Sequence, residues 1–565
     1  MITKIKYVAG LGILAVIAAT GCKKDFFNRP PENASTVGTY YQTTDQVQSS
    51  TNILYAAPWF GLNGKALLAM GDLQSGNAIC WAGTDGSFDA FGAFGAGNAT
   101  QTVSSAWNSL YTVIAQSNAL INNLPGAASA VPASVVNNAL GEAHLMRAAA
   151  YFYLVRIFGN VPIITDPAPF VGTFSSVPTN PVNDVYKFIA LDLQFAKANC
   201  KPGVASTGHA SSASASGLLA KVYLYQQKYD SARIEAEIVI NSGEFGLVGL
   251  DAPGSYVQMF ELAGNNCKES MIALQWTSNG GYGFGNQHQS VICPNSDITG
   301  TGDGWGELGP SLDLQNAFAN AGDVVRRHGT IMTDHDFYPE LHKKDGGYYI
   351  ARIDTTVGGK LYKAVNAQGT GAGMKKYVVG TPDDNNGLTA FQATSNNTYL
   401  LRYADMYLIA AEAILGKIAG VQPGTGIDTN AVCTDATALG YLNKVRQRAG
   451  LPALTSFTYK QLLNERRIEF AIEGDYWYDL QRIDGYQPNV NTGNSPVSGH
   501  HPVAIKIING QDRRTVNINS TTGEITGYGS GRSFTLNDSK FLLPYPATEA
   551  SADPALLGAP VPYKF

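Results

Sequence analysis

Aromatic rings set among glycines are the residues in this chain whose type and spacing suggest binding chemistry. Trp81, Asp85, Phe88, Phe91 and Phe94 fall within residues 80–97, and Tyr282, Phe284, Asn286, Gln287 and Trp305 within residues 280–306. A ring carried on Gly-rich backbone stands out from the surface. A pyranose offers such a ring its axial C–H face, while neighbouring Asp, Asn and Gln exchange hydrogen bonds with its hydroxyls. The expected ligand contacts are therefore Trp81, Asp85, Phe88, Tyr282, Phe284, Asn286 and Trp305. If three rings each cover ~40 Å² of sugar at ~25 cal/mol per Å², the gain is roughly 3 kcal/mol, a millimolar-class site. The competing reading tucks these aromatics into the cores of their own loops or against a partner protein.

Other reactive residue types are less suggestive. The run from Leu462 to Arg482, LLNERRIEFAIEGDYWYDLQR, holds Glu465, Arg466, Arg467, Glu469 and Glu473 on a segment that also carries an apolar stripe. Carboxylates for acid/base work would need a pocket, so the expectation is a structural ion-pair network that docks a helix on its neighbours. Arg466 and Glu469 lie one turn apart and can pair. The helix is expected to end at Gly474, with Tyr476, Trp477 and Tyr478 packed over its end. Residues 304–309 fit G-x-G-x-x-G but follow no strand of a βαβ unit, so the match is read as chance. His328, His335 and His342 recur every seven residues with Pro339 between them, and residues 383–386 (DDNN) read as a solvated turn. No metal or other cofactor is expected, and His144 reads as a core histidine on an apolar helix.

The compartment is written at the N-terminus. Lys4 and Lys6 precede an apolar run over residues 8–19, too short to span a bilayer, and Ala19-Thr20-Gly21-Cys22 follows. Residues 1–21 are thus expected to be a lipoprotein signal peptide, with Cys22 lipidated and residues 22–38 an extended tether containing Pro30-Pro31. Of the 6 cysteines, the five beyond Cys22 are scattered without C-x-x-C spacing; their odd number allows at most two bridges. Only 15% of residues are charged, against 61 glycines and 29 tyrosines, which suits a polar, uncharged, extracellular surface. A net charge of -5 without basic clusters argues against nucleic acid.

Helical patterns span much of the chain: from Thr43 to about Ala57, from Thr102 to Leu124, and over residues 139–164, stopped at Gly159. Residues 214–232 place Ala220, Tyr223, Tyr229 and Ala232 at the offsets of a tetratricopeptide helix pair, and residues 401–414 and 441–452 continue the style. Between them, residues 246–398 are rich in Gly, Asn, Thr and Tyr, loop territory of the kind that binds ligands.

The 462–482 run, the Ala-rich helix with an Arg and paired aromatics over 139–164, the lipoprotein start and the closing FLLPYPATEASADPALLG together resemble the SusD/RagB family of outer-membrane lipoproteins. The last residues depart from the family's usual tail, with Ala559-Pro560-Val561-Pro562 in its place. The resemblance implies a mainly α fold, tetratricopeptide-like helical pairs forming a scaffold with long loops and short strands mounted on it. It divides the chain into residues 39–245, an N-terminal helical part; 246–398, a loop-rich ligand-binding part; and 399–565, a C-terminal helical part. It also implies a lipid-anchored, surface-exposed protein that binds oligosaccharide or another nutrient and delivers it to a SusC-like TonB-dependent transporter. Rival readings are a surface glycoside hydrolase, disfavoured because no carboxylate pair stands out in the aromatic loops; a transporter lid without its own ligand; and a peptide binder.

Replacing Cys22 by Ala should release the protein from the outer membrane without unfolding it. Sedimentation of the variant with membranes lacking any transporter would contradict the anchor.

Overall fold

Glycines at helix crossings set the spacing of the scaffold. At Gly416 a Cβ would come within 2.4 Å of the Tyr229 ring, and at Gly217 within 2.2 Å of Met271 Cε. A larger residue at Gly416 would force its helix off that of Tyr229, and one at Gly217 would displace the Met271 side chain of a neighbouring strand. The computed structural model describes residues 40–565 apart from 82–85, 128, 169–173, 487–490, 493–495 and 498–499, so Cys22, its tether and Asp85 lie outside the described residues.

The helices used below are α1 (Thr44–Asn52), α2 (Gly86–Gly92), α3 (Gln101–Ala127), α4 (Ala133–Phe158), α5 (Val182–Asn199), α6 (Ser212–Tyr225) and α7 (Tyr229–Ile240), followed by the short α8 (Val324–Thr330) and then α9 (Tyr403–Ile418), α10 (Ala436–Arg448), α11 (Tyr459–Phe470) and α12 (Tyr476–Arg482). Successive helices from α3 to α7 pack on one another, α9 packs on both α7 and α10, and the result is the expected mainly α scaffold of helical pairs. Thr43 and Thr458 start α1 and α11 with reciprocal capping boxes to Gln46 and Gln461. From Asn138 to Phe158 nearly every residue of α4 is buried, which makes it the axis of the core. Two short π-helical stretches, Leu62–Ala66 and Ala69–Leu73, lie between α1 and α2.

The strands are short and pair two by two. Those used below are β1 (Ser270–Leu274), the hairpin β2 (Thr389–Ala390) and β3 (Ala393–Thr394), β4 (Thr398–Arg402), and the hairpin β5 (Arg514–Ile518) and β6 (Ile525–Gly531). Antiparallel pairing of β4 with β1 sets Arg402 opposite Ser270, and so beside Glu269.

That pairing completes a buried charge cluster around α11. Arg402 donates to Glu269 at 2.6 Å, to Glu469 at 2.9 Å and to both oxygens of Glu473 at 2.7 Å. Arg448 reaches Glu469 at 2.5 Å and Glu269 at 3.1 Å, and Arg326 reaches Glu465 at 2.6 Å and Glu469 at 3.0 Å. Burial alone would push the Glu469 carboxyl up, but Arg448, Arg402 and Arg326 outweigh it and hold Glu469 well below the usual glutamate range. For Glu269 burial wins over Arg448 and Arg402, and its pKa is raised.

The ion-pair docking expected of this segment is therefore present, with three differences. Arg466 does not pair with Glu469; it donates to Asp405 at 2.6 Å and Asp479 at 2.9 Å, because Glu469 is turned toward guanidiniums from three other segments. The helix ends at Phe470, not Gly474: Asp72 accepts from the Ile472 and Gly474 amides, Ile472 adopts a positive φ of 63°, and Gly71 meets Gly474 where a Cβ would lie 2.3 Å away. Tyr476, Trp477 and Tyr478 are buried as expected, but on a helix of their own, α12. His144 is only partly buried: its ring packs on Phe195 at 4.1 Å, and it hydrogen-bonds Asp192 at 2.6 Å, beside Arg147, so it is an ion-pair partner as well as a packing residue. The five described cysteines are all unbridged.

Glu469→Ala, which removes the one carboxylate shared by Arg326, Arg402 and Arg448 and leaves a buried excess of positive charge, should destabilise the protein by about 3–5 kcal/mol in urea unfolding. A loss under ~1 kcal/mol, the level of an exposed pair, would contradict this account. Because the Glu469 pKa is depressed, its contribution is fully present above the ordinary glutamate range and is lost only as pH falls through its folded-state pKa.

Candidate functional site

Five aromatic side chains remain in solvent on the loops at one side of the scaffold: Trp81 (37% exposed), Tyr282 (68%), Phe284 (49%), Trp305 (37%) and Phe391 (53%). What brings them together is a chain of amides and one carboxylate. Gln368 accepts from the Trp81 amide at 2.8 Å and donates to the carbonyl of Gly306 at 2.8 Å, so the two tryptophan loops are tied through a single side chain. Arg532, just past β6, donates to the Cys80 carbonyl at 2.7 Å and fixes the other side of Trp81. The backbone at Trp305 is held by amide bonds from Trp305 to the Ser290 carbonyl and from Glu307 to that of Val291, each 2.9 Å.

Phe391 and Gln392 form the two-residue tip of the β2–β3 hairpin, and the Phe391 ring meets Trp305 edge-on at 6.2 Å. Asp303, almost fully buried, pins that tip to the Trp305 loop: it accepts from the Gln392 amide at 2.7 Å and from Ser290 Oγ at 2.6 Å. Gln287 continues the chain by donating to Gln392 Oε1 at 3.1 Å. Tyr282 stands on a glycine loop, with Gly281 and Gly283 at positive φ, and its ring meets Phe60 at 4.9 Å. Gly280 admits no side chain because a Cβ would lie 2.4 Å from that of Phe284.

Beneath Tyr282 opens a cavity of about 300 Å³ lined by Phe60, Lys65, Gln101, Ser105 and Gln287, with Gly61 and Gly64 in its wall. Under it, His288 bonds the Asn63 carbonyl through Nε2 at 2.8 Å; burial pushes this imidazole down to about 4, and the bond to Asn63 only partly offsets that.

Of the expected contacts, Trp81, Tyr282, Phe284 and Trp305 are exposed, and the two stretches that carry them are joined. Phe88 and Asn286 are not on the surface. Phe88 lies on α2 at helical spacing from Phe91, and both rings enter the core, with Lys65 over the Phe88 ring at 5.8 Å. Phe94 is likewise buried, against Trp477 and Phe534. Asn286 is fully buried: it donates to the Asn396 carbonyl at 3.0 Å and Thr398 Oγ1 at 3.1 Å and accepts from the His288 amide at 3.0 Å, so it braces the hairpin. Sequence reasoning missed Phe391, Gln368 and Lys65. The first could have been found in TAFQAT, a two-residue connection between short β-prone pairs; Gln368 carries no local signal.

The profile of the SusD family matches residues 268–561, and one described as "Starch-binding associating with outer membrane" matches residues 95–224. A SusD-like protein of Bacteroides ovatus is 31% identical over 578 aligned positions that cover 98% of each chain. This chain belongs to the SusD family. A solved structure determined with a xylogluco-oligosaccharide superposes at a TM-score of 0.76 with 28% identity, over 92% of this chain and 99% of the other. A laminarin-binding SusD-like protein shares the fold at a TM-score of 0.64 and 22% identity, over 91% and 98% of the two chains.

Phe88→Ala should cost about 3–5 kcal/mol in unfolding free energy, as a core ring does. Phe391→Ala, on the exposed tip, should stay within ~0.5 kcal/mol of wild type. Equal losses in both variants would contradict the division between core and surface rings.

Proposed function

We propose that Trp81, Trp305, Phe391 and Tyr282 form an arc that binds oligosaccharide at the cell surface, and that the protein hands this ligand to a TonB-dependent transporter of the SusC type. The observation that carries the reading is the polar bracing of exposed rings. Four apolar side chains stay in water, on loops fixed by Gln368, Asp303 and Gln287 instead of being withdrawn into the core. Rings fixed in this way lose little entropy when a sugar stacks on them. The relative solved with a xylogluco-oligosaccharide supports a glycan as the ligand class, and the family description that names the outer membrane supports the location. Lipidation at Cys22 supplies the anchor, and Asp85 joins the ligand contacts.

Binding is favoured over hydrolysis because the carboxylates that flank Trp305, Asp303 and Glu307, are both buried, and Asp303 is engaged in holding the hairpin. A hydrolase would present a pair of carboxyl groups about 5–10 Å apart to the substrate.

The test is calorimetry of the soluble form, lacking residues 1–22, against a panel of glycans and peptides, with assay of released reducing ends. Binding of a glycan without release is expected; release would establish the hydrolase, and binding of peptides alone would move the ligand class. Trp81→Ala and Trp305→Ala should each weaken glycan binding several-fold, by roughly 1 kcal/mol of lost stacking area, with little effect on the melting temperature. The double variant should be additive if the rings hold separate sugar units and short of additivity if they share one. Wild-type affinity in both single variants would remove the arc as the site. With His288 neutral down to about pH 4, affinity should be flat between pH 5 and 8.

A further inference from the structure

The cavity under Tyr282 differs from the arc beside it. The arc is open and apolar, whereas the cavity is concave and lined largely by hydrogen-bonding side chains: Lys65, Gln101, Thr102, Ser105 and Gln287. Its volume of about 300 Å³ stands at the lower end of small-molecule sites, ~300–1,000 Å³, so it suits one sugar and not a length of chain.

Gln287 gives the cavity its direction. The side chain is 4% exposed, and its Nε2 is spent on Gln392. Among the described residues nothing donates to its Oε1, which lies 2.7 Å from where a Cβ of Gly64 would stand, in the wall of the cavity. Facing a polar cavity, this acceptor can take a hydrogen bond from a donor that enters it, and a sugar hydroxyl is one. Gly64 belongs to the π-helical stretch Leu62–Ala66, and its missing side chain is what lets the Gln287 amide lie against that wall. Gln287 also couples cavity and arc, since its partner Gln392 sits beside Phe391 at the hairpin tip.

We propose that this cavity receives a single-sugar side branch of a glycan whose backbone lies on the arc, so that the protein selects branched over linear chains. The proposal rests on the glycan-binding reading and specifies its substrate class. Tyr282 belongs to both parts: its exposed face extends the arc and its other edge, against Phe60, closes the cavity.

The test uses two matched pairs of probes: xyloglucan heptasaccharide with cellotetraose, and galactosyl-mannopentaose with mannopentaose. Calorimetry on wild-type protein is expected to give at least five-fold tighter binding of the branched member of one pair. Two variants fill the cavity from α3 and leave Gly64 and the Gln287 amide untouched, Ser105→Leu and Gln101→Leu, positions where Leu suits a helix. At least one that keeps the wild-type melting temperature should lose the branched preference while binding the linear member as before. Equal affinity of wild type for both members of each pair would overturn the proposal, as would an undiminished preference in a folded variant with the cavity filled, or no binding of any of the four probes. Trp305→Ala separates this from failure of the parent reading. If it weakens branched and linear members alike while cavity-filling changes neither, the arc stands and the branch pocket falls. If Trp305→Ala and the filling variants leave glycan binding untouched, both fall.

Discussion

Three arginines converge on one carboxylate in the middle of this protein, and the rest of the structure is arranged so that they can. Glu469 is fully buried, and it is tolerable there only because Arg326, Arg402 and Arg448 arrive from a short helix, a strand end and a scaffold helix. Each arrival fixes a different segment. Arg402 requires the β1–β4 pairing, Arg448 requires α10 to lie along α11, and Arg326 requires the loop-rich middle of the chain to fold back onto the C-terminal helices. A carboxylate and three cations in a low-dielectric interior penalise every arrangement but the complete one, and so the cluster specifies the fold more than it adds to its stability.

The division of labour between scaffold and site follows the chemistry. The scaffold is joined by formal charges deep inside, while the proposed binding face is joined mainly by neutral amides, with the Asp303 carboxylate at the hairpin and the Arg532 guanidinium behind Trp81. Gln368, Gln287 and Gln392 are suited to that place because an amide offers a donor and an acceptor together without the desolvation cost of a charge. The arc can thus be stiff with few formal charges in its bracing.

Much of this was legible in the sequence, and the reasons for the rest are physical. The charge density of residues 462–482 announced an ion-pair hub, and helical periodicity with glycine stops located α4, α6, α7 and α9. What sequence could not give was the partner of each charge. Arg466 looked paired with Glu469 one turn away, yet both turn to residues far off in the chain, because tertiary contacts decide where a buried charge finds its complement. The aromatic loops were recognised by their glycines, which served for Tyr282 and Trp305 but misled for Phe88 and Phe91, where a short helix winds the rings inward. Phe391 escaped because no glycine adjoins it: Gln392 takes the left-handed backbone conformation, at φ 56°, that a glycine would have signalled. Gln368 does precede Gly369, but it carries no ring and its partners are backbone groups far off in the chain.

The amide of Gln368 has a consequence for what the arc can measure. One planar group of fixed length joins the backbone at Trp81 to the backbone at Gly306, next to Trp305, so the interval between the two loops is set by a side chain and not left to loose backbone. Polysaccharides differ in the pitch with which their linkage repeats successive ring faces. In the proposed arc a fixed interval would act as a gauge, matching some linkages and putting others out of phase, set by a side chain whose two polar ends are already occupied by protein.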